Sequence, residues 1–177
     1  LECFDPHEPF SAPDRFKAKY PSGYTGPILD WPRYKRNEED QLLVQELRSN
    51  YAALLSMCDE YFGKLLDYLD FYSMWDDTVV ILTTDHGFLL GEHEWWGKNR
   101  MPFYNELTNI QLIIYHPDMV SHAGERRNSL TQTIDLMPTL LDLFDVVHPD
   151  FIEGKSLLPI LSANTKIREG AIYGMFG

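Results

Sequence analysis

The stretch from Thr78 to Tyr104, TVVILTTDHGFLLGEHEWWGKNRMPFY, constrains this chain more than any other. Val79, Val80, Ile81 and Leu82 form an unbroken β-branched and apolar run, the signature of a strand covered on both faces. The run stops at Thr83-Thr84, and Asp85-His86-Gly87 comes at once. In open α/β sheets ligands sit just beyond the carboxyl ends of strands. An aspartate and a histidine there, with a glycine that lets the backbone turn or approach closely, have the makings of a site. Gly91, Glu92, His93, Trp95, Trp96 and Lys98 lie within the same loop.

Each piece also has an ordinary reading. Asp-His-Gly is the material of a turn, with Asp85 capping the next helix. His93 suits a solvated loop, Trp95-Trp96 suits packing over a core, and Lys98 alone suits the surface. Only the combination at one strand end argues for chemistry. Asp and His are metal ligands, and a nearby lysine neutralises an anion.

Before this stretch, Leu1 to Phe4 reads as a buried strand end, followed by Asp5-Pro6-His7-Glu8-Pro9. The two prolines hold the backbone extended and remove two amide donors, making a rigid loop that presents His7. Taken alone, His7 is as compatible with a loop histidine bonded to the backbone. Residues 11–37 show no periodicity and read as an irregular excursion. Its basic cluster Arg33, Lys35 and Arg36 fits a solvated face better than a substrate surface. Asn37 is the expected cap of one long helix, roughly Glu38 to Tyr72, with apolar residues at helical steps from Leu43 through Leu47, Leu54 and Cys58 to Leu69. Asp59 and Glu60 on it read as a solvated face. Helix and succeeding strand predict the αβ half of a parallel crossover.

Downstream, Phe103–Glu106 is expected to open a short helix, and Ile110–Tyr115 to form the next buried strand, ended by a structural His116. Residues 121–128 suggest a hairpin or edge turn. Pro138 belongs in the first turn of a short helix whose apolar face is Leu136, Leu140, Leu141 and Phe144. Ala171–Phe176 is the last strand candidate.

With 177 residues, the chain is long enough for one domain with a sizeable core. A net charge of −12 argues against a nucleic-acid partner, which needs a basic face, but allows a small anion in a locally positive pocket. No run of eighteen apolar residues exists to span a membrane. The two cysteines, Cys3 and Cys58, make no disulfide framework and leave the compartment open; Cys58 reads as a buried free thiol. The strand-like sequences at both ends suggest a fragment of a longer protein.

The string DHGFLLGEHEWWGK resembles the sulfatase family of the alkaline-phosphatase-like superfamily. Members carry a strand, then Asp-His or Asp-Asn with Gly, then a Gly-Glu-His-like turn, then Gly-Lys or Ala-Lys. His7-Glu8-Pro9 is similar to the family's His-x-Pro loop, Asp135 to Leu140 to its Asp-Leu-x-Pro-Thr-Leu segment, and Gly154 to Pro159 to its Gly-Lys-Ser-Leu-Leu-Pro turn. Asn105 and Gln111 are small departures. The resemblance implies an α/β fold: an alkaline-phosphatase-like three-layer sandwich with a mostly parallel central sheet. Residues 1–177 would form part of a single catalytic domain, short of its N-terminal nucleophile segment and its C-terminal end.

The resemblance further implies a metal-dependent sulfuric ester hydrolase. Asp85 and His86 match two metal ligands, Lys98 the lysine that contacts the sulfate, and His7 the histidine that contacts it and protonates the leaving group. The implied metal is Ca²⁺, with Mn²⁺ or Zn²⁺ favoured by an imidazole ligand. The implied nucleophile is a formylglycine made from a Cys or Ser in a Cys/Ser-x-Pro-x-Arg motif, a context that neither Cys3 nor Cys58 has. The isolated chain is therefore expected to be inert. The implied partner is a small anionic sulfate ester, with a sulfated sugar among the candidates. A phosphonate monoester or phosphodiester hydrolase of the same superfamily, and a non-catalytic glycan-binding relative, are the rivals.

Overall fold

The computed structural model describes residues 1–171; the strand candidate at Ala171–Phe176 lies almost wholly outside them. In chain order the elements are α1 (Asp14–Lys17), α2 (Gln41–Phe71), β1 (Val80–Thr83), β2 (Leu89–Leu90), β3 (Trp96–Gly97), α3 (Asn105–Thr108), β4 (Leu112–Tyr115), α4 (Leu136–Leu143) and α5 (Leu158–Ala163). They fall into two compact units, one formed by Leu1–Asp76 with His86–Ile110, the other by Asp77–Asp85 with Gln111–Gly177.

The first unit is built on α2. Its cap is Asp40, not Asn37: the Asp40 carboxylate accepts the Leu43 amide at 2.9 Å. Asn37 instead accepts the Glu39 amide at 3.1 Å, a local turn that precedes the helix. The helix ends with Ser73 in the left-handed region (φ 52°), while the Met74 amide returns to the Leu69 carbonyl at 2.9 Å. Leu47, Ala53 and Leu54 of α2 meet Phe10, Ala12, Phe16 and Trp96 in a closed core, with Phe88 and Leu90 packed against it. The buried Asn50 amide donates to the Leu29 carbonyl at 2.8 Å and ties the irregular segment to the helix. Phe10 is edge-on to both Tyr51 and Phe88, at 5.2 and 5.4 Å. Leu1–Phe4 forms no strand; Leu1 and Phe4 are exposed, because no neighbouring strand among the described residues takes up their backbone groups.

β2 and β3 form a small antiparallel hairpin, with Leu89 opposite Gly97 and Leu90 opposite Trp96. Gly91 takes φ 95° at its turn. The segment before α2 runs along its edge: the Trp96 amide donates to the Lys35 carbonyl and the Asn37 amide to the Glu94 carbonyl. Glu39 accepts the indole N–H of fully buried Trp96 at 2.9 Å. Burial pulls the Glu39 carboxyl upward, but backbone amides, Lys35 and Trp96 outweigh it and hold it below its ordinary range.

In the second unit β1 and β4 pair antiparallel, from Val80 opposite Tyr115 to Thr83 opposite Leu112. Both sheets among the described residues are antiparallel pairs, so the expected parallel arrangement is not seen there. The helix preceding β1 spends its apolar face on its own unit, which leaves β1 to pair with β4. Nor are the strands buried on both faces: Leu82 and Ile113 are exposed, as a two-stranded pair has no layer of its own to cover it. Of the hairpin or edge turn expected over residues 121–128, a turn is what forms: a 3-10 helix (Pro117–His122) ends there, the Glu125 amide donates to the His122 carbonyl at 3.1 Å, and the His122 and Arg127 side chains both bond to Glu125. His116 is structural, its Nδ1 accepting the Asp118 amide at 3.1 Å.

The hub of this unit is Asp135, fully buried before α4. Its carboxylate accepts the amides of Gln132 and Lys155 at 2.7 and 2.9 Å and is ion-paired to Arg168. Thr139 donates to the Asp135 carbonyl and accepts the Leu157 amide at 2.9 Å. The Asp-Leu-x-Pro-Thr-Leu and Gly-Lys-Ser-Leu segments are thus one hydrogen-bonded assembly. The buried face of α4 is Pro138 and Thr139, whereas the expected apolar face is largely open, with Leu140 and Phe144 exposed. No helix among the described residues is long and apolar enough to cross a membrane.

Candidate active site

His7 sits in a turn rather than an extended loop: its amide donates to the Phe4 carbonyl at 3.1 Å, and the bonds before Pro6 and Pro9 are cis. Its ring lies 4.4 Å from that of Phe4, and Nδ1 lies 2.7 Å from the Glu8 carbonyl. A carbonyl only accepts, so Nδ1 carries the proton of that bond and Nε2 of the neutral ring keeps its lone pair. Immediately downstream the loop is anchored: Phe10 is fully buried and its amide donates to the Asp30 carbonyl at 2.6 Å.

The side chain beside His7 turns inward. Glu8 is 1% exposed, in a chain where most carboxylates face water. Its Oε1 accepts the hydroxyl of Tyr34. Its Oε2 has no hydrogen-bond partner among the described residues, but lies 3.4 Å from His7 Nδ1 and 4.0 Å from Lys98 Nζ. Lys98 is correspondingly buried, not the surface lysine its identity alone suggests. Gly97 places it: φ is 95°, and a Cβ here would stand 2.4 Å from the Tyr34 ring, so only glycine lets that ring close over β3. One buried carboxylate therefore gathers its neighbour His7 with Tyr34 and Lys98, which lie 26 and 90 residues further along the chain, counted from Glu8. Glu8 and Tyr34 went unnoticed in the sequence, because a single glutamate and a single tyrosine carry no spacing signal among 27 acidic residues and 10 tyrosines.

Asp85 and His86 are neighbours on either side of the boundary between the two units. Asp85 is exposed and His86 half-buried. His86 Nδ1 is 2.9 Å from the Gly87 carbonyl, which again assigns the proton to Nδ1 and the lone pair to Nε2, the tautomer suited to ligating a metal. Gly87 is needed for close approach: a Cβ would meet the Glu106 carbonyl oxygen at 1.7 Å, and its amide donates to the Leu107 carbonyl at 2.9 Å. A carboxylate, and an imidazole with its lone pair on Nε2, are each donor types that divalent cations take. No group of three His, Cys, Asp or Glu side chains able to hold a metal occurs among the described residues, so these two alone do not close a coordination shell.

The remaining residues of the long loop are structural. His93 stacks on Tyr104 at 3.8 Å and pairs with Glu106 at 3.1 Å. Trp96 fills the first core and Trp95 packs on the second, formed by Leu89, Met101 and Leu107. Lys35 pairs with Glu38 and Glu39, and Arg36 with Glu94, as a solvated face would. Burial pushes the Cys58 thiol up, away from the range of a reactive thiolate.

Set beside known proteins, the chain matches the Sulfatase family model over residues 4–146. It is 35% identical over 123 residues to the multifunctional alkaline phosphatase superfamily protein PehA of Trinickia caryophylli, covering 70% of this chain and 24% of that protein. To the N-acetylglucosamine-6-O-sulfatase of Bacteroides thetaiotaomicron it is 33% identical over 169 residues, covering 91% of this chain and 29% of the relative. Among solved structures, BT4656 in complex with its substrate D-glucosamine-2-N,6-O-disulfate superimposes with a TM-score of 0.58 at 32% identity, over 72% of this chain and 26% of that one. The phosphonate monoester hydrolase of Agrobacterium radiobacter shares the fold, with a TM-score of 0.75 over 94% of this chain and 38% of its own, at 22% identity. The chain thus spans about a quarter to two fifths of the length of these relatives. A family match over residues 4–146 that takes in both the His-Glu-Pro loop and the Asp-His-Gly to Gly-Lys run leaves one assignment: the chain belongs to the sulfatase family.

Proposed function

We propose that the protein to which these residues belong is a metal-dependent sulfuric ester hydrolase acting on a small anionic sulfate ester, with a sulfated sugar as the substrate class. The observation that supports it most is the convergence of His7 and Lys98 on buried Glu8. Sulfate ester hydrolysis needs charge neutralised on the sulfate oxygens, in-line attack, and a proton for the leaving oxygen. Lys98 serves the first need, as a buried ammonium opposite the sulfate oxygens. His7 serves the third. With Nδ1 bonded to the Glu8 carbonyl, the proton it delivers resides on Nε2 of the imidazolium. Both groups are presented from one unit, so the acid and the anion contact keep a common frame.

Asp85 and His86 would supply two donors to a divalent metal, which when bound polarises the sulfate group. We take that metal to be Ca²⁺, with the imidazole donor favouring Mn²⁺ or Zn²⁺ as the competitor. The nucleophile we assign to a formylglycine elsewhere in the catalytic domain, because neither cysteine here has the required sequence context. We also assign β1 and β4 to the central sheet of an alkaline-phosphatase-like three-layer sandwich, a reading supported by the likeness to whole sulfatase and phosphonate hydrolase structures.

The test uses the full-length protein with 4-nitrophenyl sulfate, glucosamine 6-sulfate and an aryl phosphonate, each with and without added Ca²⁺, Mn²⁺ or Zn²⁺. Sulfate turnover should exceed phosphonate turnover, and Lys98→Ala should lower kcat/KM by about 100- to 1,000-fold, as for loss of a preorganised charge contact. Faster phosphonate turnover would replace this reading with that of a phosphonate monoester hydrolase. That second reading draws on the likeness to the Silicibacter pomeroyi enzyme, at 27% identity over 94% of this chain. Sugar binding without turnover would favour the glycan-binding alternative.

A further inference from the structure

We infer that Glu8 is a positioning residue of the active site, whose buried carboxylate holds the His7 ring in place for proton delivery, with the Lys98 ammonium as its counter-charge on the other side. The inference rests on the hydrolase reading for the roles of His7 and Lys98, but not on sulfate as the substrate.

The geometry carries it. Glu8 touches His7 twice, by its carbonyl at 2.7 Å and its carboxylate at 3.4 Å from the same Nδ1. The carbonyl contact sets the tautomer, and the carboxylate beside it holds the ring against that contact. The carboxylate faces the positive charge that appears whenever His7 carries the proton on Nε2. On its other side the same Oε2 is 4.0 Å from Lys98 Nζ. At 1% exposure Glu8 has no water shell to fall back on. A buried carboxylate is retained only with charge or hydrogen-bond partners, and the partners here are the two proposed working groups and one tyrosine hydroxyl. The Tyr34 ring is clamped on Gly97 and edge-on to Phe88 at 5.9 Å, so its hydroxyl is delivered to Oε1 by a rigid wall. Oε1 is thereby occupied, and Oε2 is left to the imidazole and the ammonium.

Charge arithmetic sets the consequence. Imidazolium, carboxylate and ammonium together carry one net positive charge, enough to attract an anion. Without the carboxylate, the partly exposed imidazolium would lose its counter-charge and swing toward solvent, while Lys98 stays held by its buried surroundings. Glu8→Gln keeps the volume and an acceptor for Tyr34 but loses the charge. The proton donor should then be misplaced, while attack on the ester is less affected. Such a defect is visible in leaving-group dependence: esters that leave readily need little protonation, and poor leaving groups need much.

The experiment measures kcat for the full-length protein over a series from 4-nitrophenyl to 4-methoxyphenyl sulfate, or the matching phenylphosphonates if those are the better substrates. Glu8→Gln should lose about 100-fold at the poor-leaving-group end and at most about 3-fold at the nitrophenyl end, the scale of one general acid. Tyr34→Phe, which removes only the hydroxyl, should lose about 3- to 10-fold in the same selective sense, a fraction of the same general-acid contribution. A uniform loss across the series in both variants, or no loss in either, overturns the inference. Should Glu8→Gln fail to fold, Tyr34→Phe decides. The ¹⁵N spectrum of the wild-type histidines gives an independent answer without turnover, with His7 assigned by a His7→Gln difference. The Nδ1–H tautomer is expected, and an Nε2–H tautomer rejects the positioning geometry. Because these readouts track the proton donor, they fail separately from the sulfate assignment, which only the choice of ester tests.

Discussion

At the scale of single residues, two glycines shape the segments that carry the candidate residues, and each does so by making room. Gly87 lets its chain pass against the Glu106 carbonyl, and Gly97 lets the Tyr34 ring lie on β3 beside Lys98. Gly97→Ala adds a methyl 2.4 Å from that ring at φ 95°, so both strain and overpacking apply. We expect it to cost about 1–3 kcal/mol in denaturant-induced unfolding. It should also move the Tyr34 hydroxyl off Glu8, seen as a changed Tyr34 ring environment by NMR; an unaltered ring signal would dismiss the clamp. Of the four site residues expected from the sequence, His7 and Lys98 prove to share a buried carboxylate, and His86 has the tautomer a ligand needs. The motifs that contain them were legible because their spacing is fixed over many residues. Glu8 was not, because what distinguishes it is burial, and burial of one polar side chain leaves no trace in local sequence.

Elements obey local rules more closely than sheets do. The 3.6-residue repeat of α2 announced a long helix, and the helix runs from Gln41 to Phe71. Its cap was displaced by three residues, since Asn37 and Asp40 are equally good caps and only the path of the preceding segment chooses between them. Gly63 sits in mid-helix, and a Cβ there would meet nothing within 4 Å. Gly63→Ala should therefore stabilise the protein by about 1 kcal/mol, read as a shifted denaturant midpoint with an unchanged slope. Glu60 of α2 pairs with Arg15 of α1 and with Lys64. The Arg15 hydrogen bond, then that of Lys64, lowers the Glu60 carboxyl from 4.5 to about 2. Its folded value is the depressed one, so the support it gives α1 is complete above pH 4.5 and lost as pH falls through about 2. Amide exchange in α1 should accelerate over that window, and Glu60→Gln should remove the pH dependence. Protection that is constant from pH 5 to 2, or an undiminished pH dependence in the variant, would count against it (the window is that of the pair).

For the whole molecule, the two units rest on different kinds of interior. The unit containing α2 is closed by aromatic and aliphatic packing around Phe10, Phe16 and Trp96. The unit containing α4 depends on a polar hub, Asp135, which holds Gln132, Lys155 and Arg168 together. Asp135→Ala would leave the Arg168 side chain, 10% exposed, with its Oδ1 partner gone. Breaking such a buried pair costs about 3–5 kcal/mol. Hydrogen exchange should show the loss in α4 and α5, with the interior of α2 much less affected; an equal loss in both would mean that the units do not open separately.

Short-range chemistry accounts for everything that could be read from the residues in a row. The long amphipathic helix, the strand before Asp85, the short helix at Asn105 and the sulfatase motifs are all written in neighbouring residues and their spacing. Strand pairing is a different matter: that β1 and β4 meet, and run antiparallel, emerges only in three dimensions, because a backbone edge accepts either direction of partner. The burial of Glu8 between His7 and Lys98 likewise belongs to the tertiary structure, because a carboxylate's surroundings are set by side chains that arrive from distant segments.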